Sequence, residues 1–361
     1  MKLEGIRVVD LSLFLPGPYL TLMLADHGAE VIKVEPPGEG DPTRHLGPRD
    51  GGETVYFRNL NRGKKSVVVD LKNAQEREAL LRICDSADVF VESFRPGVVE
   101  RLGVGYEQLR ARNPRIVYCS ISAFGQSGPM RERPAHDLAV EALSGVLSIG
   151  IGQDAKPAIP GLPLADLLAS LHGLAGVLMA LLRREKTGKG DFVDIAMHDS
   201  MLAGTPNVLG PTLAENRQPV PTHERSTGGS AFYRLYQTAD GRWLALGGQE
   251  PKFVRALLGA LGRLDLVPLC EKPGPHQAPV MALLQDFFGR KTLAENLAFL
   301  APLDVCYAPV NTLPEAMDQG HLLKDELGRR HLAPPIRFRD EPARPHLREP
   351  RLGEHDALKK R

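Results

Sequence analysis

The chain has 361 residues, of which 42% are hydrophobic and 25% charged, an ordinary globular composition too long for one simple core, so two domains are expected. A formal net charge of +1, 6% aromatic residues and a single Trp leave neither the field nor the stacking surface for nucleic acid or an anionic membrane. No apolar run is read as reaching the roughly 18 residues of a membrane span, and "MKLEGIRVVDLS" lacks the apolar core of a signal peptide. A cytoplasmic protein without membrane or nucleic-acid partners is expected.

The first half alternates strands and helices. "IRVVDLS" (6–12), "EVIKVE" (30–35), "SVVVDL" (66–71), "DVFVESF" (88–94) and "RIVYCSISAF" (115–124) are short apolar runs rich in β-branched residues, hence strands. "PGPYLTLMLADHGA" (16–29) and "NAQEREALLRICDSA" (73–87) have helical spacing, the first with Pro at its start and Gly near its end. Continuously apolar strands with helices between them predict a parallel sheet covered on both faces, a Rossmann-like α/β layout. No GxGxxG follows the first strand, so the dinucleotide fingerprint is absent. Two further helices are expected at about 136–149 and 164–187, the second stopped by basic residues and Gly in "RREKTGKG", and "FVDIAMHDSML" (192–202) closes this half.

Residues 204–230, rich in Pro, Thr, Asn and Gly, read as a linker. "FYRLYQTADGRWLALGG" (232–248) then predicts a hairpin turning at Ala239-Asp240-Gly241. Helices follow at about 251–262, 278–290 and 293–300, with a strand at "CYAPV" (306–310). The domains are accordingly 1–203 (large), 231–318 (smaller, α+β) and a C-terminal segment from 319, with "PPIRFRD" (334–340) as one more strand. Cys84, Cys119, Cys270 and Cys306 lack zinc-type spacing, so no metal is expected, and a reducing compartment fits.

Three places carry candidate chemistry. In "RERPAHDLAVEALSGVL" His136 and Asp137 stand where a helix begins, Asp166 follows an apolar stretch in "GLPLADLLASL", and Glu250 precedes Pro in "ALGGQEPKF". Each reads as a helix cap or first-turn decoration when taken alone.

Several strings together change that reading. "ADHGAEVIKVEPPGEGDPTR" (25–44), "NRGKKSVVVDLK" (61–72), "ESFRPGVVERLGVGYEQL" (92–109), "YCSISAFGQSGP" (118–129) and "REKTGKGDFVDIAM" (184–197) resemble the family III CoA transferases, of the carnitine and bile-acid type, a family that includes the α-methylacyl-CoA racemases. The resemblance runs from about residue 3 to 320. It implies a large Rossmann-like domain and a small α+β domain, with the chain end returning to the large one. It also implies a homodimer whose subunits interlock, with each site built between the large domain of one and the small domain of the other.

Within that resemblance His136 matches the histidine of the racemase "GHD" motif, Asp166 a proton-transfer aspartate in racemases and the covalent carboxylate in transferases, and Glu250 a racemase glutamate that supports the histidine. Val140 replaces a racemase Tyr, Pro36 replaces a CoA-contacting Arg, and "GDPTR" is more typical of transferases. Inverting a carbon α to a thioester needs one base and one acid on opposite faces, the roles expected of His136 and Asp166. The apolar neighbours of Asp166 are expected to raise its pKa. Asp137 and the turn after it are expected to serve the enolate oxygen. For coenzyme A, Lys72 and Arg95 fall in nucleotide-contacting motifs, with Asp70, Leu71 and Lys33 beside them, and no cofactor beyond the CoA of the substrate is expected. Arg95, directly after a strand, is the favoured phosphate ligand. The transferase alternative attacks acyl-CoA with Asp166, leaves His136 unused, and lets Gly247 and Gly248 admit the carboxylate acceptor.

Overall fold

The structure, a computed structural model, describes residues 1–151 and 156–360. The chain forms two compact units, the first from Met1–Ser144, Pro160–Gly204 and Gly320–Arg361, the second from Gly145–Ile159 and Thr205–Gln319.

The first unit is built on six parallel strands, β1 (Arg7–Asp10), β2 (Glu30–Glu35), β3 (Lys65–Val68), β4 (Val89–Glu92), β5 (Val117–Ser122) and β6 (Phe192–Ala196), in the order β3-β2-β1-β4-β5-β6. Val8, Val9, Val89, Phe90 and Val91 are fully buried, because helices cover both faces of a parallel sheet. Tyr118 lies between its register partners Phe90 and Phe192, stacked at centroid distances of 5.1 and 5.4 Å, so one aromatic row crosses three strands. The chain reverses its direction of strand addition between β1 and β4. The crevice beyond their carboxyl ends is where sheets of this order take ligands.

The helices of this unit are α1 (Pro16–Asp26), α2 (Val55–Asn61), α3 (Ala74–Cys84), α4 (Val98–Arg101), α5 (Tyr106–Arg112), α6 (Asp137–Leu143), α7 (Leu164–Thr187) and α8 (Met197–Ala203). The helix expected over 136–149 is shorter, because Gly145 takes φ 81° and ends it, leaving a 3-10 turn at Val146–Ser148. In α7, Gly173 and Gly176 let neighbours approach closely. A Cβ on the first would lie 2.6 Å from Leu20 and on the second 2.6 Å from Val193. Contrary to expectation, α7 contains an 18-residue window long and apolar enough to cross a membrane, with mean hydropathy 1.8 and 33% of it buried. The helix packs on α1, α8, β5 and β6.

The C-terminal segment covers the edge of β3. The His355 N–H donates to Ser66 O (2.8 Å), the Val68 N–H to Asp356 Oδ1 (2.8 Å), and Lys359 Nζ to Val68 O (2.6 Å). No strand forms at 334–340; the short antiparallel ribbon here joins Leu322–Lys324 to Arg330–Leu332.

The second unit holds α9 (Gly210–Glu215), an antiparallel sheet of β7 (Tyr233–Gln237), β8 (Trp243–Gly247) and β9 (Tyr307–Pro309), and helices α10 (Pro251–Ala260), α11 (Ala278–Gly289), α12 (Leu293–Leu300) and α13 (Leu313–Gln319). Phe232, Tyr236, Leu244, Leu257 and Phe288 form its core. The segment read as a linker carries α9 and internal ties, among them Arg217 to Glu224 at 2.8 Å and Thr227 Oγ1 to Pro221 O at 2.7 Å.

Candidate active site

The helix α7 begins at Leu164 after Pro163, a residue with no side chain to cap it. The missing acceptors come from α6. Asp137 Oδ1 accepts from the backbone N–H of Ala165 (2.9 Å) and of Asp166 (3.1 Å), and Glu141 Oε1 accepts from Leu164 N–H (2.9 Å). The two carboxylates, four residues apart on one helix face, therefore cap a neighbouring helix. His136 is the N-cap residue of α6, its carbonyl accepting from Ala139 and Val140. The residue beside His136 is thus bonded to the backbone of Asp166, and the imidazole and the carboxyl belong to one helix junction. The role expected of Asp137 falls to the backbone N–H groups at the start of α6, and its side chain has a separate one. Its carboxylate fixes the start of α7.

Asp166 is half-buried, and among the described residues no donor reaches its carboxyl group. Burial, reinforced by the charges of Asp137 and Glu141, pushes its pKa up to about 7. Tyr56 of α2 is half-buried, and burial, with the charges of Asp166 and then Asp41, pushes its phenol up to about 12. Phe14, in the loop after β1, packs edge-on against the His136 ring, 6.4 Å between centroids at 77°. Its backbone is left-handed, φ 61°. Ser170, one turn beyond Asp166, donates to Pro16 O (2.7 Å) and ties α7 to the end of that loop.

Glu250 lies in the second unit, where it is the exposed N-cap residue of α10. The preceding Gln249 exchanges hydrogen bonds with Arg225 (3.2 and 3.0 Å), and Gly248 lies against Phe253 and Cys306, where a Cβ would clash at 2.5 and 2.7 Å.

The cations divide into two groups. Lys33 is fully buried, paired with Asp41 at 2.7 Å and donating to Ser12 O at 3.0 Å. Lys64 donates to Asp10, Pro18 O, Thr21 and Asn61, and burial takes it down to about 8 while Lys64 and Lys33 hold Asp10 at about 2 against its own burial. Arg44 grips Glu35 and Arg62 grips Asp26, each at 2.7 Å. Placing Lys33 among the CoA ligands is corrected by this network. Freeing it would leave a buried, uncompensated Asp41. Lys72 and Arg95 are exposed beyond the carboxyl ends of β3 and β4. Asp70 and Leu71 shape the first of these loops, Asp70 Oδ1 accepting Lys72 N–H at 3.0 Å and Leu71 O accepting Arg77 at 3.0 Å.

A sequence model of CoA-transferase family III matches residues 3–356. The chain belongs to this family. It is 39% identical over 264 residues to the acetyl-CoA:oxalate CoA-transferase of Acetobacter aceti, covering 73% of this chain and 67% of that protein. It is 37% identical over 330 residues to the α-methylacyl-CoA racemase of Homo sapiens, covering 89% and 81%. The crystal structure of a CAIB/BAIF family protein from Brucella suis matches with a TM-score of 0.84 at 32% identity, over 99% of this chain and 98% of that one. Both transferases and racemases thus stand at similar distance from this family III chain.

Three residues of the junction escaped the reading of the sequence. Glu141 was visible only as the residue one turn beyond Asp137. Tyr56 and Phe14 lie in segments distant in sequence from the site, and nothing in "TVYFRNL" or "LSLFLPG" marks them.

Proposed function

We propose that the protein is an acyl-CoA racemase that inverts the α-carbon of 2-methyl-branched acyl-CoA thioesters by two-base 1,1-proton transfer. The observation that carries this reading is a carboxyl group with its pKa near neutrality placed at the same helix junction as an imidazole. In one direction neutral His136 removes the α-hydrogen while protonated Asp166 returns one to the opposite face. In the other direction Asp166 is the base and the imidazolium is the acid. Lys72 and Arg95 are assigned to the phosphates of CoA. Glu250 is assigned to support the imidazole from a second copy of the chain in an interlocked homodimer. Leu171, Leu178, Met179 and Leu182, exposed along α7 at 39% or more, support such a dimer, because a stripe of this size needs covering.

The transferase reading is supported by the oxalate CoA-transferase relative and by Gly247 and Gly248 ahead of Glu250. There Asp166 must be ionised to attack, and its carboxylate neighbours oppose that. Two experiments separate the readings. His136→Ala should lower α-hydrogen exchange by about two to four orders of magnitude, the usual scale for losing a general acid or base. Hydroxylamine trapping should find no acyl group on Asp166. A hydroxamate at position 166, with transfer activity retained in His136→Ala, would establish the transferase instead.

A further inference from the structure

We infer that Glu141 is a positioning residue that reserves Asp166 for proton donation: from α6 it occupies a terminal N–H of α7 and places a second carboxylate beside the one that reacts. The inference rests on the racemase reading for its purpose, but not for its physics.

A helix N-terminus ordinarily stabilises a carboxylate within its first turn, through free N–H groups and the aligned peptide dipoles. Asp166 stands in the first turn of α7 and would be ionised there by default. In this chain the first three N–H groups of α7 are taken, that of Leu164 by Glu141 and those of Ala165 and Asp166 by Asp137. The site that would favour the Asp166 anion is filled by two other carboxyl groups. Glu141 is fully buried, and its second oxygen, Oε2, has no hydrogen-bond partner among the described residues. Burial drives Glu141 itself upward, and Asp137 adds to that. Asp166 and Glu141 are thus both pushed toward their neutral forms, each by burial first.

Among the described residues, the charges that act on Asp166 are those of Asp137 and Glu141, both acidic. From α2, Tyr56 feels Asp166 as a neutral phenol, and Arg58 is paired with Asp50 at 3.0 Å. On α8, His198 and Asp199 pair with each other at 3.2 Å, and on α1 Asp26 is paired with Arg62. His136, ahead of α6, is the group that exchanges protons with substrate in the proposed reaction. Capping alone would not require a carboxylate at 141, since a Gln offers the same Oε1 acceptor without charge.

The test is a carboxyl titration of the full chain labelled with carbon-13 at Asp and Glu side chains, with Asp166→Asn and Glu141→Gln assigning the two resonances. In the unmodified chain the Asp166 signal should titrate near neutrality. Glu141→Gln should raise the acid constant of Asp166 about tenfold, the scale for removing one nearby like charge, while the thermal midpoint stays within a few degrees. Glu141→Leu should shift Asp166 similarly but also lose stability, because Leu164 N–H then has no acceptor. If Glu141→Gln does not fold, the reciprocal arm decides: in Asp166→Asn the acid constant of Glu141 must rise by a comparable factor. An Asp166 signal that titrates as an ordinary carboxylate, or is indifferent to Glu141→Gln, or a Glu141 signal indifferent to Asp166→Asn, overturns the inference. In exchange assays, Glu141→Gln should lower kcat above neutral pH about tenfold in the direction that uses Asp166 as the acid, leaving KM unchanged. Failure of the racemase reading looks different: the titrations behave as stated, yet no acyl-CoA exchanges its α-hydrogen.

Discussion

At Phe14 a bulky side chain is held at φ 61°, a conformation costing a non-glycine residue about 1–2 kcal/mol, with its ring against His136. Strain of this kind persists where the surroundings enforce it. Here the loop is anchored by β1 on one side and by the prolines opening α1 on the other. Phe14→Gly should therefore be more stable than Phe14→Ala by about 1 kcal/mol in urea unfolding, since Gly removes the strain that Ala keeps. Under the racemase reading both should lose exchange activity, because the ring packed against His136 is gone. Equal stability of the two variants would show that the backbone at 14 carries no strain. The second expectation at this scale concerns pH. With Asp166 near 7, its protonated fraction falls as pH rises through neutrality. The kcat of the direction in which Asp166 donates should fall about tenfold per pH unit well above 7, and the reverse direction should lose rate as pH falls below it. Steady-state rates measured from each enantiomer between pH 5 and 9 provide the check.

At the scale of elements, the α6–α7 junction is a cap built from another helix. Asp137→Ala removes the acceptor of two terminal N–H groups and should cost about 1–2 kcal/mol, read from chemical unfolding. Gly173→Ala should cost about 1–3 kcal/mol, because its Cβ meets Leu20 across a close helix contact. The strands of the sheet were legible in the sequence because burial on both faces makes them continuously apolar, and Val8, Val9, Phe90 and Val91 are examples. The long helix expected at about 164–187 runs Leu164–Thr187, with Gly188 as its stop. The helix at 136 was overrun, although "LSGVL" already contained the glycine that ends it. The strand expected at "PPIRFRD" had alternation but no partner strand to pair with, and pairing is a property of the fold.

At the scale of the whole molecule, the separation of surface cations from buried ones was beyond a linear reading. Lys33, Arg44, Arg62 and Lys64 look like Lys72 and Arg95 in sequence, yet the first two pair with Asp41 and Glu35 around the end of β2, and the last two meet Asp26 and Asp10 once the end of α2 has packed on α1 and β1. His136 and Asp166 were legible through the resemblance to known motifs, whereas their link through Asp137 and Glu141 required the packing of α6 on α7. The exposed apolar stripe of α7 makes assembly testable. Leu178→Glu with Leu182→Glu should convert the proposed dimer to a monomer in sedimentation, with loss of activity, and an unchanged dimer would place the interface elsewhere. The most direct test of the account as a whole is incubation of the purified protein with one enantiomer of a 2-methylacyl-CoA in deuterated water. The account predicts deuterium at the α-carbon together with appearance of the opposite enantiomer, both lost in Asp166→Asn. Substrate recovered with its hydrogen and its configuration intact, across a range of acyl chains, would contradict it.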